Sequence, residues 1–217
     1  MTHDKYVIWG SSGHSKVLSS LISLIGGEVV ALFDNNPNAI SSLKNVPLFI
    51  GQDGFEQWLI RQETINNIHG IAAIGGSRGN DRIRIHNLFS SHGLNISSLI
   101  HPSASVCSTS IIGCSSQLLS QSLLAADSVI GESCILNHQA SIDHECVIGN
   151  GVHLAPSSTL CGCVVLGNNV MIGAGATVLP RINIGDNTVV GAGSTVTKNL
   201  PANVVVVGTP ARVIKRI

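Results

Sequence analysis

The sequence predicts an α/β, Rossmann-like βαβ domain followed by a parallel β-helix. Three observations carry this reading. All seven aromatic residues (Tyr6, Trp9, Phe33, Phe49, Phe55, Trp58, Phe89) lie before residue 90. The opening residues alternate strand and helix signals around a glycine loop. From Val106 onward an aliphatic residue returns at every sixth position.

In the first half, Tyr6-Val7-Ile8-Trp9 is a short β-prone run that ends in Gly10-Ser11-Ser12-Gly13-His14. An amphipathic run from Val17 to Ile25 follows and stops at Gly26-Gly27. Val29 to Phe33 is a second strand, ended by Asp34-Asn35-Asn36-Pro37. After a mixed segment with Phe55 and Trp58, Ile68 to Ile74 is a strand broken by Gly75-Gly76, and Asp81 to Ser91 reads as a helix ended by Gly93. Strand, glycine loop, helix, strand is a βαβ unit, and parallel strands place ligands at their carboxyl ends.

The second half steps through Val106, Ile112, Leu118, Leu124, Ile130, Leu136, Ile142 and Ile148, then Leu154, Leu160, Leu166, Ile172, Val178, Ile184, Val190 and Val196. These sixteen positions are all aliphatic. Glycine follows the aliphatic residue at 113, 131, 149, 167 and 185, a spacing of 18. A six-residue period is the mark of a hexapeptide β-helix, in which each hexad forms one flat face and three faces close a coil. The aliphatic side chains fill a narrow core that has no room for aromatics. The glycines are expected to serve corners with unusual backbone angles. The boundaries read from this are residues 1–100 for the first domain, 101–199 for the β-helix and 200–217 for a C-terminal tail.

Lysines and arginines number 12 and balance 12 acidic residues, which argues against a nucleic-acid footprint. No apolar stretch approaches the ~18 residues of a membrane span. The polar start Met1–Asp4 has no secretory character, so a cytoplasmic protein is expected. Six cysteines show no C-x-x-C pair and are expected as buried free thiols. Only 11% of residues are charged, which hints at surface covered by other subunits.

The chain resembles the hexapeptide-repeat sugar O- and N-acyltransferases typified by UDP-N-acetylbacillosamine N-acetyltransferase and the sialic acid O-acetyltransferases. The residues that carry the resemblance are Ile8-Trp9-Gly10-Ser11-Ser12-Gly13-His14, Asn137-His138-Gln139-Ala140-Ser141-Ile142-Asp143-His144-Glu145-Cys146 and Gly208-Thr209-Pro210-Ala211-Arg212. The resemblance implies a left-handed β-helix, a homotrimer with acetyl-CoA between neighbouring subunits, and a UDP-amino sugar held by the N-terminal domain.

Acetyl transfer to an amine needs a base, and histidine titrates near working pH. By resemblance His144 is that base and Glu145 its partner, with Asp143 an adjacent competitor for the orienting role. Asn137 matches a substrate contact and serves equally well as a corner residue. His153 matches a position near the thioester; a surface histidine is the plain alternative. Ser12, Gly13, His14, Asp34, Asn35 and Gly75 match contacts to the UDP part. Gly162, Ala174 and Ala192 match small residues along which the pantetheine arm lies, and Lys198, Arg212, Lys215 and Arg216 supply charge for CoA phosphates. The segment Gly76-Ser77-Arg78-Gly79-Asn80-Asp81-Arg82 is longer than the family's turn, and its arginines are open to phosphate contact or solvent. The spacing of His138, His144 and His153 differs from that of zinc-binding β-helix carbonic anhydrases, so no metal is expected. The implied reaction is N-acetylation of the 4-amino group of a UDP-linked 2-acetamido-4-amino-2,4,6-trideoxyhexose. Its rivals are O-acetylation of a sialic-acid-like sugar and a non-catalytic β-helix scaffold.

Overall fold

A computed structural model describes residues 4–217, so Met1-Thr2-His3, read above as lacking export character, lie outside the described residues. Packing divides the chain into two units. One runs up to Ile74 and resumes over Asp81–Ser97; the other holds Gly75–Asn80 and Ser98–Ile217.

The first unit comprises β1 (Lys5–Trp9), α1 (Gly13–Leu24), β2 (Glu28–Asp34), β3 (Leu48–Ile50), α2 (Gly51–Leu59), β4 (Ile68–Ala72) and, from Asp81 on, α3 (Gly79–Ser91). The mixed segment with Phe55 and Trp58 is therefore a strand and a helix. The four strands are parallel in the order β3-β2-β1-β4. Strand alternation sends Val7, Trp9, Ala31 and Phe33 into one core with Phe55 and Trp58 of α2 and Ile85 and Phe89 of α3. Ring centroids of Trp9, Phe33, Phe55 and Phe89 lie 5.2–6.1 Å apart, mostly tilted or edge-on, the arrangement that ring quadrupoles favour. α1 buries Leu18, Leu21 and Ile22.

Two polar side chains of α3 lock the end of β4. Arg82, fully buried, donates to the Ile74 carbonyl at 2.9 Å; this arginine is therefore neither a solvated charge nor a phosphate contact. His86 accepts the Ala72 N–H at Nε2 at 3.1 Å. Burial, with the Arg82 charge beside it, pushes the His86 pKa down to about 3, so the ring is neutral.

The second unit is a left-handed parallel β-helix. Strands of two residues follow every six positions and pair with those eighteen residues away, as in Ile135↔His153 and Ser141↔Thr159. Three sheets result. The first begins at Ile111–Ile112, the second at Leu99–Ile100 and the third at Ser105–Val106. The second ends in an antiparallel pair, Val204–Val207 with Arg212–Arg216, so the segment 200–217 contributes two strands. The aliphatic ladder is buried from Leu118 upward.

A second inward ladder runs two residues ahead of the first. Ser116, Ser122, Ser128, Cys134, Ala140, Cys146, Val152, Ser158, Val164, Val170, Ala176, Ile182, Thr188 and Ser194 are all buried. Burial unites them, and most are small, while their hydropathy runs from serine to isoleucine. Cys134 and Cys146 are thus buried free thiols as expected, but Cys114 is exposed and Cys107, Cys161 and Cys163 are half-buried.

The corner glycines have a different reason from the expected one. Gly149 has no left-handed backbone; a Cβ there would meet the Gly167 backbone at 2.7 Å in the next coil. Left-handed angles fall instead two residues later in each hexad, mostly on non-glycine residues such as Gln139 (φ 59°), Glu145 (57°) and Cys163 (60°).

Candidate active site

The stacked register gives each corner of the β-helix an edge running the length of the coils. His144 follows a strand of the third sheet, and the same edge carries Gly162 one coil on and Lys198 three coils on. Asp143 Oδ1 accepts the His144 backbone N–H at 2.8 Å, so that carboxylate is turned to the main chain. Glu145 Oε2 sits 2.9 Å from His144 Nδ1. Glu145, not Asp143, is the ring's partner. Both side chains are more than half exposed, at 51% and 63%. With Nδ1–H donated to the carboxylate, the lone pair of Nε2 is left to accept a proton. A Cβ at Gly162 would collide with the His144 ring. Gly162 therefore makes room for the His144 ring; its smallness has this cause in addition to any role beside a pantetheine arm.

A second group gathers on and beside the second sheet. Gly76 N–H donates to His153 Nδ1 at 2.9 Å, and the Asn137 amide lies 3.3 Å from His153 Nε2. Asn137 Oδ1 also accepts the His138 N–H at 2.8 Å. Gly75 flanks the ring: a Cβ there would lie 3.7 Å from His153 Cε1. His153 is 6% exposed, so it is not a plain surface histidine. The segment Gly75–Asn80 is held here by a further chain of bonds. Gly79 N–H donates to Asn169 Oδ1, and the amide ladder continues through Asn187 to Asn203, at 2.7–2.9 Å per step. Gly79 also lies against Gly151, and a Cβ on either would strike the other.

Asn137, Gly75 and His153 thus come together, as do His144, Glu145 and Gly162. The two groups stand on different edges of one prism. Ala174 and Ala192 follow second-sheet strands, on the Asn137 side, and both are exposed. Toward the C-terminus, Val196, Thr197, Lys198, Asn199, Ala211 and Arg212 help line a cleft of about 340 Å³ with two cationic side chains.

In the first unit Ser12 is the N-cap of α1 and makes no side-chain cap bond, Gly13 opens the helix, and a Cβ at Gly13 would meet nothing. A helix start of this kind presents unpaired N–H groups, the general setting for anion binding. His14 is half-buried beside them. Asp34 takes the Ser11 N–H at Oδ2 (2.8 Å) and the Asn36 N–H at Oδ1 (2.9 Å), tying the glycine loop to the end of β2. Gly10 needs to be glycine: at φ 115° its Cβ would sit 2.6 Å from the Ala73 carbonyl. Beside Asn35 a cleft of about 270 Å³ is lined by Trp9, Gln52, Arg84, Ile85 and Leu88. Gln52 and Arg84 were missed by sequence reasoning, because nothing in their local pattern marks them.

Two family models match the chain. Residues 5–87 match the PglD N-terminal domain, and residues 127–162 and 163–198 match the bacterial transferase hexapeptide (six repeats). PerB from Caulobacter crescentus, solved with CoA and GDP-perosamine, is 32% identical over 97% of both chains, with a TM-score of 0.86. The chain belongs to the hexapeptide-repeat sugar N-acyltransferases. The acetyltransferase domain of PglB from Neisseria gonorrhoeae, solved with acetyl coenzyme A, is 25% identical over 98% of this chain and 100% of that one, with a TM-score of 0.85. WeeI from Acinetobacter baumannii, at 23% identity over 96% and 99% and a TM-score of 0.85, shares the fold. No match is found among curated proteins. Among the described residues no helix is long and apolar enough to cross a membrane.

Proposed function

We propose that this sugar N-acetyltransferase moves the acetyl group of acetyl-CoA to the 4-amino group of a nucleotide-linked amino sugar, with His144 as general base. The observation that carries the reading is the 2.9 Å pair of His144 Nδ1 and Glu145 on an exposed edge, with Nε2 left to take a proton. As the amine attacks the thioester carbonyl, the C–N bond forms and the amine's proton passes to Nε2. Collapse of the tetrahedral intermediate breaks the C–S bond, and the imidazolium returns the proton to the departing thiolate. Glu145 holds the tautomer and offsets the imidazolium charge.

Ser12, Gly13, His14, Asp34 and Asn35 hold the nucleotide diphosphate in the domain proposed for residues 1–100. Gly75 and Asn137 meet the sugar. His153, Gly162, Ala174 and Ala192 line the path of acetyl-CoA, with Lys198 and Arg212 at its phosphate end. The division of these residues between two edges favours a homotrimer, in which the His144 edge of one copy meets the Asn137 edge of the next. An aliphatic stripe beside the His144 edge (Ile111 61%, Val147 51%, Val165 39% exposed) supports the same arrangement. We place the reaction in the cytoplasm, where acetyl-CoA is made.

A UDP-linked 2-acetamido-4-amino-2,4,6-trideoxyhexose is the substrate implied by the sequence motifs. The 32% identity to a protein solved with GDP-perosamine favours a GDP-linked amino sugar as the second reading. Acetyl transfer measured with UDP- and GDP-linked amino sugars and with a hydroxyl acceptor separates these. His144→Ala is expected to lower kcat by at least ~100-fold with the favoured amine. Retained turnover removes His144 as base, and preference for the hydroxyl acceptor removes N-transfer.

A further inference from the structure

We propose that His144, Glu145 and Cys163 form an inhibitory binding site for a thiophilic divalent cation, zinc being the fitting ion. The proposal rests on the reading of His144 as base. Among the described residues this is the one group of three such side chains whose ligand atoms all lie within 4.8 Å of one another. Glu145 Oε2 is central to it, 2.9 Å from His144 Nδ1 and 3.8 Å from Cys163 Sγ.

The fold builds this cluster. Glu145 and Cys163 are separated by one coil, and Cys163 N–H donates to the His144 carbonyl at 2.9 Å. Both adopt left-handed backbones, at φ 57° and 60°, so their side chains leave the same edge in the same sense. Imidazole, carboxylate and thiolate are the donor types of zinc sites, and three protein ligands leave a fourth position for water. The donors stand on a hydrogen-bonded backbone ladder, which limits the rearrangement that binding requires. Cys163 is half-buried and stays within reach of solvent.

Binding would form bonds from the metal to Nδ1, a Glu145 oxygen and Sγ, and the thiol proton would pass to solvent. No oxidant or reductant is involved. A metal on Nδ1 forces the remaining ring hydrogen onto Nε2, the nitrogen that must accept a proton from the amine. The cation therefore disables the base without touching either substrate. A comparison sits on another edge of the same prism. Cys114 Sγ lies 3.8 Å from Glu132 Oε2, the same thiol–carboxylate stack but with no histidine completing a triad.

The test titrates the metal-free full chain with zinc by calorimetry and with cobalt by absorption spectroscopy, and follows acetyl transfer in parallel. One zinc per chain, a thiolate-to-cobalt charge-transfer band and loss of turnover at saturating zinc are expected. Cys163→Ser is expected to keep metal-free turnover, lose the band and weaken zinc inhibition by at least ~10-fold; Cys163→Ala serves if the serine variant misfolds. Cys114→Ser should retain band and inhibition. Absence of the band in the unaltered chain, or zinc inhibition unchanged in both Cys163 variants, overturns the proposal. Failure of the underlying reading shows differently, as undiminished metal-free turnover in His144→Ala.

Discussion

In the α/β unit Trp9 touches three different aromatic rings, one at 34° and two at 60°, whereas in the β-helix Leu154 meets an aliphatic counterpart in register above and below, Leu136 and Ile172. The first core is assembled from unique fits and two buried polar locks, the second from one fit repeated. Damage in the first should be concentrated and severe. Damage in the second should depend on whether a change breaks the repeat or only its local composition. Both tryptophans, Trp9 and Trp58, belong to the α/β unit, so their fluorescence reports on that unit by itself.

The largest expected effect is on acid stability. His86 has a folded pKa of about 3 against 6.5 when exposed. Between these values the unfolded chain binds a proton that the folded one refuses, so stability is full above pH ~6.5 and falls as pH drops toward 3. The loss is on the order of 5 kcal/mol across that window. Denaturant unfolding followed by tryptophan fluorescence at several pH values measures it. His86→Gln, which keeps an acceptor for the Ala72 N–H, should flatten the slope; an unchanged slope would show that other groups carry the acid sensitivity.

Next comes Phe55→Ala, which empties the centre of the aromatic cluster and should cost about 3–5 kcal/mol by the same fluorescence readout. A loss under 1 kcal/mol would mean that the unique fits matter less than the comparison holds. The smallest effects lie in the β-helix and depend on geometry. Gly149→Ala forces a Cβ into the next coil and should cost about 1–3 kcal/mol. Gly175→Ala, with φ 65° and open space around it, should cost only ~1 kcal/mol. Circular-dichroism melts of the pair test the order, and equal costs would contradict it.

The aliphatic ladder was legible because every inward hexad position is Val, Leu or Ile. The second ladder was not, since Ser116, Cys134 and Thr188 share size and burial but no hydropathy. Glycine at 149 was visible, but its cause was not: crowding between coils cannot be told from a strained turn without the coil above. His144 and Glu145 are sequence neighbours and were read together. The meeting of Gly76 with His153 spans 77 residues and depends on which unit the loop packs against. Arg82 looked like a free cation because charge is the default reading of an arginine, and only its burial against Ile74 shows otherwise.

The eighteen-residue register also makes the β-helix a ruler with fixed graduations. Adjacent coils stand about 4.8 Å apart, so the three coils from His144 to Lys198 set about 14 Å along one edge. A chain of this design can lengthen or shorten that span only by whole coils, because any other insertion carries Lys198 to a different face. On the roles proposed for His144 and Lys198, the distance between the reacting end of a bound molecule and its charged end is quantised by the backbone, and a donor of different reach calls for a coil more or a coil less.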